Sequence, residues 1–376
     1  MAAAYTWHPG SDGVNPRWAV PVQLLPDEIV SSWLVRAALA QGCDPLTFTG
    51  EIWPKWRIWT LDADRTISSE RVTLLSLLSG ISVAAFEAAT LQPIASRIWG
   101  GLPPKKATWP WILALGARNT KRHGGLQYCP SCLAEDAKPY YRLQWRLAWH
   151  TGCQKHGCLL LDRCRACGAP VEPHRLLAED RHVAVCATCK AGLGEGSPVP
   201  QSPDALALQR LADAISLQGH GVFHGQTLTT AEWFGLADFF ISLCRRQNRY
   251  GTEAMRGVLN RLGAPLPDGL PVMAGAGVER LLVHDREKLL GCLWRLMDAG
   301  GDSLATALKE VGVTRQGFCN RREPLPSVLS SLVDSLPDRP VTRNRKPRQE
   351  TGVPRSRDQV MRMMAKLRRK LEMVRR

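Results

Sequence analysis

The sequence predicts a mainly α-helical protein that carries small zinc-binding modules: a helix-turn-helix-like N-terminal domain, tandem zinc fingers and a helical C-terminal domain. Three observations carry this. Apolar residues recur at three- and four-residue steps on both sides of the chain's middle, as one buried face of a helix requires. Eight Cys and His residues form two four-ligand sets in that middle. A Gly/Pro/Ser-rich stretch at 192–203 and a basic tail mark the two ends of the C-terminal helical region. With 376 residues, 44% hydrophobic and 22% charged, the chain has room for two or three domains and enough apolar surface to exclude wholesale disorder.

The first domain is expected over 20–120. Within it, 26–41 reads as an amphipathic helix with Ile29, Trp33, Ala37 and Ala40 on one face and Gly42 as the stop. A helix over 69–79 carries Val72, Leu75 and Leu78. After the Gly80-Ile81-Ser82 break the period resumes over 83–90, which is helix-turn-helix-like spacing that any tight helical hairpin shares. Beyond 203 the chain is again helical to 337. Leu208, Leu211 and Ile215 mark one helix. Trp233, Ala237, Phe240 and Cys244 mark another, started by a capping-box-like Thr229-x-x-Glu232, and Leu282, Leu289, Leu293 and Met297 a third. Cys43, Cys244, Cys292 and Cys319 stand alone and read as core packing.

The finger domain, 121–195, holds the most specific signal. Cys129-x2-Cys132-x20-Cys153-x2-His156 is followed seven residues later by Cys164-x2-Cys167-x18-Cys186-x2-Cys189. Zinc takes four tetrahedral N/S ligands, and each C-x-x-C turn brings two thiolates to one metal. Two structural zinc ions per chain are expected. Each set is saturated by protein, with no open position for water or substrate. Cys158 and His150 lie close enough to substitute in the first set, although choosing Cys158 would break the x2 symmetry. Lys155, Arg163, Arg165 and Lys190 flank the ligands, and Trp145, Arg146 and Trp149 interleave aromatic and basic groups. That mixture suits nucleic-acid stacking, or else the tryptophans fill the finger's own core.

The net charge is +15, and 338–376 alone has 14 Lys/Arg against 4 Asp/Glu. An excess of this kind favours polyanion partners, most simply nucleic acid, although it also occurs in proteins that are merely soluble. The first half of the tail is a Pro-broken basic linker; Val360, Met364, Leu367, Leu371 and Val374 then place an apolar stripe on a basic helix. Phosphate contact through residues such as Arg368, Arg369 and Lys370, docking on a partner groove and membrane-surface binding all remain open readings. A second candidate DNA reader lies at 303–322. There Leu304, Leu308 and Val311 face a core, Gly312 turns, and Thr314 starts a recognition helix that would project Arg315, Gln316, Asn320, Arg321 and Arg322. A solvated helix face is the alternative.

No apolar run reaches a membrane span, and 1–18 lacks the apolar stretch of a secretory signal, so a cytoplasmic protein with no membrane association is expected. Enzymatic motifs fail one by one: there is no G-x-x-x-x-G-K-[ST], no H-E-x-x-H and no H-x-E to accompany Cys129-Pro130-Ser131-Cys132 as a deaminase needs. His123-Gly124-Gly125 has no nucleophile elbow to serve. No catalytic residue is assigned. A dispersed carboxylate site, as in a nuclease or transposase, is the one enzymatic reading that motifs leave standing.

Leu25-Pro26-Asp27-Glu28-Ile29-Val30-Ser31-Ser32-Trp33-Leu34-Val35-Arg36-Ala37 resembles the opening motif of the TniQ/TnsD family of transposon target-selection proteins. A longer match follows in Tyr128-Cys129-Pro130-Ser131-Cys132, Tyr141-Arg142-Leu143-Gln144-Trp145-Arg146, Trp149-His150, Cys153-x-x-His156-Gly157, Leu160-Leu161 and Cys164-x-x-Cys167-Gly168. The resemblance covers about 20–190. It implies a non-enzymatic adaptor in transposition and DNA recombination, linking target DNA or an RNA-guided CRISPR effector to a AAA+ ATPase regulator that activates the transposase, in some relatives as a homodimer. A zinc-containing DNA-binding transcription regulator is the alternative.

Overall fold

Helix α1, Val30–Ala40, is buried on two sides rather than one. Val30, Trp33, Leu34, Ala37 and Ala38 face a smaller core with Phe48, Ile58, Val72, Leu75 and Phe86. Ile29, Val35 and Leu39 join a larger core that runs on through the Cys-rich region and the C-terminal helices. Ala40, expected on the buried face, is exposed. A single apolar stripe is the wrong template because the helix lies between two layers, each of which takes its own face.

The computed structural model describes residues 17–102, 108–115, 125–271, 277–319, 323–338 and 356–375. They fall into two compact units, divided after Pro337. In the first, α1 is followed by α2 (Pro45–Ile52), α3 (Ala63–Thr66), α4 (Ser69–Ser79), α5 (Val83–Ala88) and α6 (Gln92–Trp99). The break between α4 and α5 forms where the sequence places it. Gly80 ends α4 at φ +77°, a left-handed backbone that glycine adopts without strain, and the Ser82 side chain accepts the Ala85 N–H to start α5. The short α7 (Pro130–Glu135) and a two-residue hairpin, β1 (Gly152–Cys153) and β2 (Cys158–Leu159), belong to the Cys-rich region.

Next come α8 (Pro203–Gln218), β3 (His220–Phe223), β4 (Gln226–Thr229), α9 (Thr230–Tyr250), α10 (Glu253–Arg261), α11 (Val283–Asp298), α12 (Gly300–Val311), α13 (Arg315–Phe318) and α14 (Ser330–Asp334). Thr229 and Glu232 form the reciprocal capping box at the start of α9. Cys244 and Cys292 are buried, their sulfurs 3.7 Å apart between α9 and α11. Helix α15 (Arg357–Arg375) lies in the second unit. No helix among the described residues is long and apolar enough to cross a membrane.

The candidate reader at 303–322 folds differently from expectation. Gly312 turns at φ +72° and Thr314 caps the next helix, both as expected, but α13 is a single turn. Phe318 is fully buried against Phe239, and its carbonyl accepts Arg246 Nη2 at 3.0 Å, so the chain leaves the helix at Cys319 in an extended conformation. Burial of Phe318 thus takes the place of a long recognition helix. Arg315 pairs with Asp334 at 3.0 Å, Gln316 lies within this single turn, and Asn320, Arg321 and Arg322 lie outside the described residues.

Candidate metal centres

Both four-residue sets come together in space. The ligand atoms of Cys129, Cys132, Cys153 and His156 lie within 4.8 Å of one another, and so do those of Cys164, Cys167, Cys186 and Cys189. Local turns explain how. After Cys153, Cys164 and Cys186 the chain folds back, so that Gly157, Gly168 and Lys190 donate their N–H to the carbonyl of the Cys four residues earlier, at 2.8 to 2.9 Å. Each of those three residues is left-handed, at φ +60°, +69° and +64°. Glycine takes this conformation freely and Lys190 does so at some cost. Its ammonium is tied to Asp180 at 2.6 Å. Cys129 instead caps α7, with Cys132 N–H directed at its sulfur, so the fourth pair sits on the first turn of a helix.

In the first set His156 Nδ1 lies 3.3 Å from Cys129 Sγ and 3.4 Å from both Cys132 Sγ and Cys153 Sγ, with the last two sulfurs 3.6 Å apart. In the second, Cys164 and Cys189 are 3.7 Å apart, as are Cys167 and Cys186. A tetrahedral ion with metal–sulfur bonds of about 2.3 Å needs sulfur–sulfur edges of about 3.8 Å, so both donor sets fit a zinc-sized ion. Each can hold one metal ion.

The ligands that the sequence leaves open are resolved by their partners. His150 is buried and directs Nε2 to Asp213 Oδ1 at 2.7 Å; the same carboxylate oxygen accepts Trp149 Nε1 at 2.8 Å. Cys158 Sγ is 3.5 Å from Cys129 Sγ but outside the four-atom cluster. Sequence reasoning misses Glu135, the last residue of α7, which places Oε2 3.0 Å from His156 Nε2. A carboxylate there fixes the ring so that Nδ1 faces the three sulfurs. Lys155 also binds this carboxylate, at 2.7 Å.

The aromatic and basic run at 145–149 is core. Trp145, Arg146 and Trp149 are 2%, 1% and 0% exposed, which excludes stacking on nucleic acid in this conformation. Arg146 spans two carboxylates of the α3 region, with Nη2 to Asp62 Oδ2 and Nη1 to Asp64 Oδ2 both at 2.7 Å, and it also donates to Leu113 O. Asp64 further accepts the Ser31 N–H and hydroxyl. Burial pushes the Asp64 carboxyl up to about 6 against the opposing pull of Arg146. Arg163 and Arg165 bond backbone carbonyls at Gly168 and Glu195.

The opening motif around α1 is a set of joints to the same region. Buried Glu28 accepts from Arg36, the Ser32 hydroxyl and Leu25 N–H; Ser32 Oγ in turn accepts Tyr141 N–H. Burial raises the Glu28 carboxyl, with Arg36 offsetting it. Ile29 N–H bonds Tyr141 O, and Leu143 N–H bonds Asp27 O. Motif and first metal set are therefore one structural device.

The TniQ family model matches residues 19–160. This chain carries a TniQ domain. The match takes in α1 to α7, the joints around α1 and the first metal set, and ends before Cys164. No curated protein matches the chain. The TniQ domain supports a transposition-associated role in target selection. Its far side is bonded to the C-terminal helices. Gln209 of α8 accepts the N–H groups of Thr151 and Gly152 and donates to Gly152 O; Asp213 takes His150, Trp149 and Gln154. Fully buried Arg286 of α11 donates to Gln127 Oε1, while Gln127 Nε2 donates to the carbonyls of Trp145 and His150. Of the remaining DNA-contact candidates, Arg368 is exposed on α15, and Arg369 and Lys370 follow it on the same helix.

Proposed function

We propose that the chain is a non-catalytic adaptor for transposition target selection, whose two metal sites hold structural zinc and whose rigid first unit joins target DNA or an RNA-guided CRISPR effector to a AAA+ ATPase regulator of the transposase. The observation that carries this is the TniQ match over α1 and the first metal set, on a segment, 141–150, bonded both to the N-terminal helices and to α8 and α11. Zinc is favoured by one donor set of three thiolates and an imidazole and another of four thiolates, both with near-tetrahedral edges. Such sites supply folding free energy rather than a reactive metal position. The buried carboxylates are engaged by cations and backbone, with Asp62 and Asp64 on Arg146 and Glu28 on Arg36. They support the domain as joints. The zinc ions would hold the knuckle turns closed, Glu135 would orient His156, and Gln209 and Asp213 would transmit that order to α8.

The test is co-expression of the chain with a AAA+ ATPase regulator of a transposase. Stable co-purification is expected, and it should be lost in Cys153→Ser when that variant releases its metal. DNA cleavage or strand transfer by the purified chain alone, abolished by a carboxylate substitution that leaves zinc content intact, would overturn the adaptor reading.

A further inference from the structure

Helix α15 places Val360, Met364, Leu367, Leu371 and Val374 at alternating four- and three-residue steps, the a and d positions of a coiled-coil seam. Val360, Met364 and Leu367 are 46%, 59% and 59% exposed. Contact with phosphates alone calls for basic side chains and gives no reason for a seam in this register. The helix spans 19 residues, and the seam from Val360 to Val374 is about 21 Å long.

The positions that flank such a seam, e and g, decide which partner it accepts. Here they are Met361, Arg368 and Arg375 on one side and Met363 and Lys370 on the other. Every charged one is basic, while the helix's two acids, Asp358 and Glu372, fall at b, away from the seam. A second copy would bring Arg368, Lys370 and Arg375 against their own kind in parallel or antiparallel pairing, so the charge pattern opposes self-association. It complements a helix with Asp and Glu at the matching positions.

We propose that α15 docks onto an acidic amphipathic helix of a partner protein, pairing apolar seam to apolar seam with its basic e and g positions opposite acidic positions of the partner. This occupant goes beyond the adaptor reading and does not depend on it. The seam supplies the contact area, and the flanking charges select against other basic helices and against a second copy.

The full chain is titrated against a synthetic helix of about three heptads with Leu at a and d and Glu at e and g, and against the same peptide with Lys at e and g. Binding to the Glu peptide should be at least about tenfold tighter than to the Lys peptide. Met364→Gln with Leu367→Gln keeps good helix formers while removing the seam, and should weaken that binding at least about tenfold. Arg368→Glu with Lys370→Glu should invert the preference. Equal affinity for the two peptides would overturn the proposal, as would unchanged binding by the seam variant. Two further results would do the same: duplex DNA or anionic vesicles bound through the tail while neither peptide binds, and self-association that the seam variant abolishes.

Discussion

Replacing Arg146 by Met removes a cation shared by Asp62 and Asp64 while keeping much of the side chain's apolar volume. Arg146 and Asp64 are each 1% exposed, and two ion-pair contacts of 2.7 Å disappear together. Breaking a buried pair from one side costs about 3 to 5 kcal/mol, because the remaining charge is left without compensation. The loss should depend on pH. Asp64 in the folded protein already titrates at about 6, above the unfolded value of about 3.9, so the native state binds this proton more tightly and the group's contribution to stability falls as pH rises between the two. Without Arg146 the carboxyl rises further and the window extends upward. Each unit of that rise adds about 1.4 kcal/mol at pH above it and nothing at pH well below the original value. Urea unfolding followed by tryptophan fluorescence, with zinc in the buffer, should therefore give a destabilisation at pH 7.5 that exceeds the one at pH 5 by at least about 1 kcal/mol. A loss below about 1 kcal/mol, or the same loss at both pH values, would show that the triad is not a structural joint.

Metal analysis should find two zinc ions per chain, and Cys164→Ser should retain one while losing order only around 164–190; retention of both would remove Cys164 from the ligands. Glu135→Ala should leave stoichiometry intact but speed zinc loss to a chelator, with first-set affinity reduced about 10- to 100-fold; no change would mean that the carboxylate does not orient His156. His150→Ala should keep both metals and lower stability by about 1 to 3 kcal/mol through the stranded Asp213 bond, whereas loss of one metal would make His150 a ligand. Gln209→Ala strips three hydrogen bonds from Thr151 and Gly152 and should cost about 1 to 3 kcal/mol in chemical denaturation with little change in zinc content.

Legibility in the sequence divides by range. The ligand sets, the Gly80 break, the Thr229–Glu232 capping box and the Gly312 turn depend on residues a few places apart, and spacing is enough to reveal them. Spacing leaves Arg146 and its aromatic neighbours open between nucleic-acid contact and core, because the carboxylates that bury Arg146 lie 82 and 84 residues away. Trp149 and His150 likewise find their hydrogen-bond partner, Asp213, on a helix beyond an apparent linker. The β3–β4 hairpin has a usable local signal that the helical periodicity on either side overshadows. His224-Gly225, at φ +51° and +71°, is a two-residue turn between two short strands, the first of which alternates in burial. The helix after Thr314 fails for the opposite reason: local pattern favours continuation, and the burial of Phe318 ends it.

The bonds from Gln209 and Asp213 back to 149–154 bear on protein engineering. Gly192 to Pro203 looks like a natural place to exchange modules between transposon systems, yet a graft made there would strip α8 from the strand it braces and expose the indole of Trp149. Chimeras that trade only the segment after Pro337 leave every one of those bonds in place, and that junction is where recombinant hybrids should be joined.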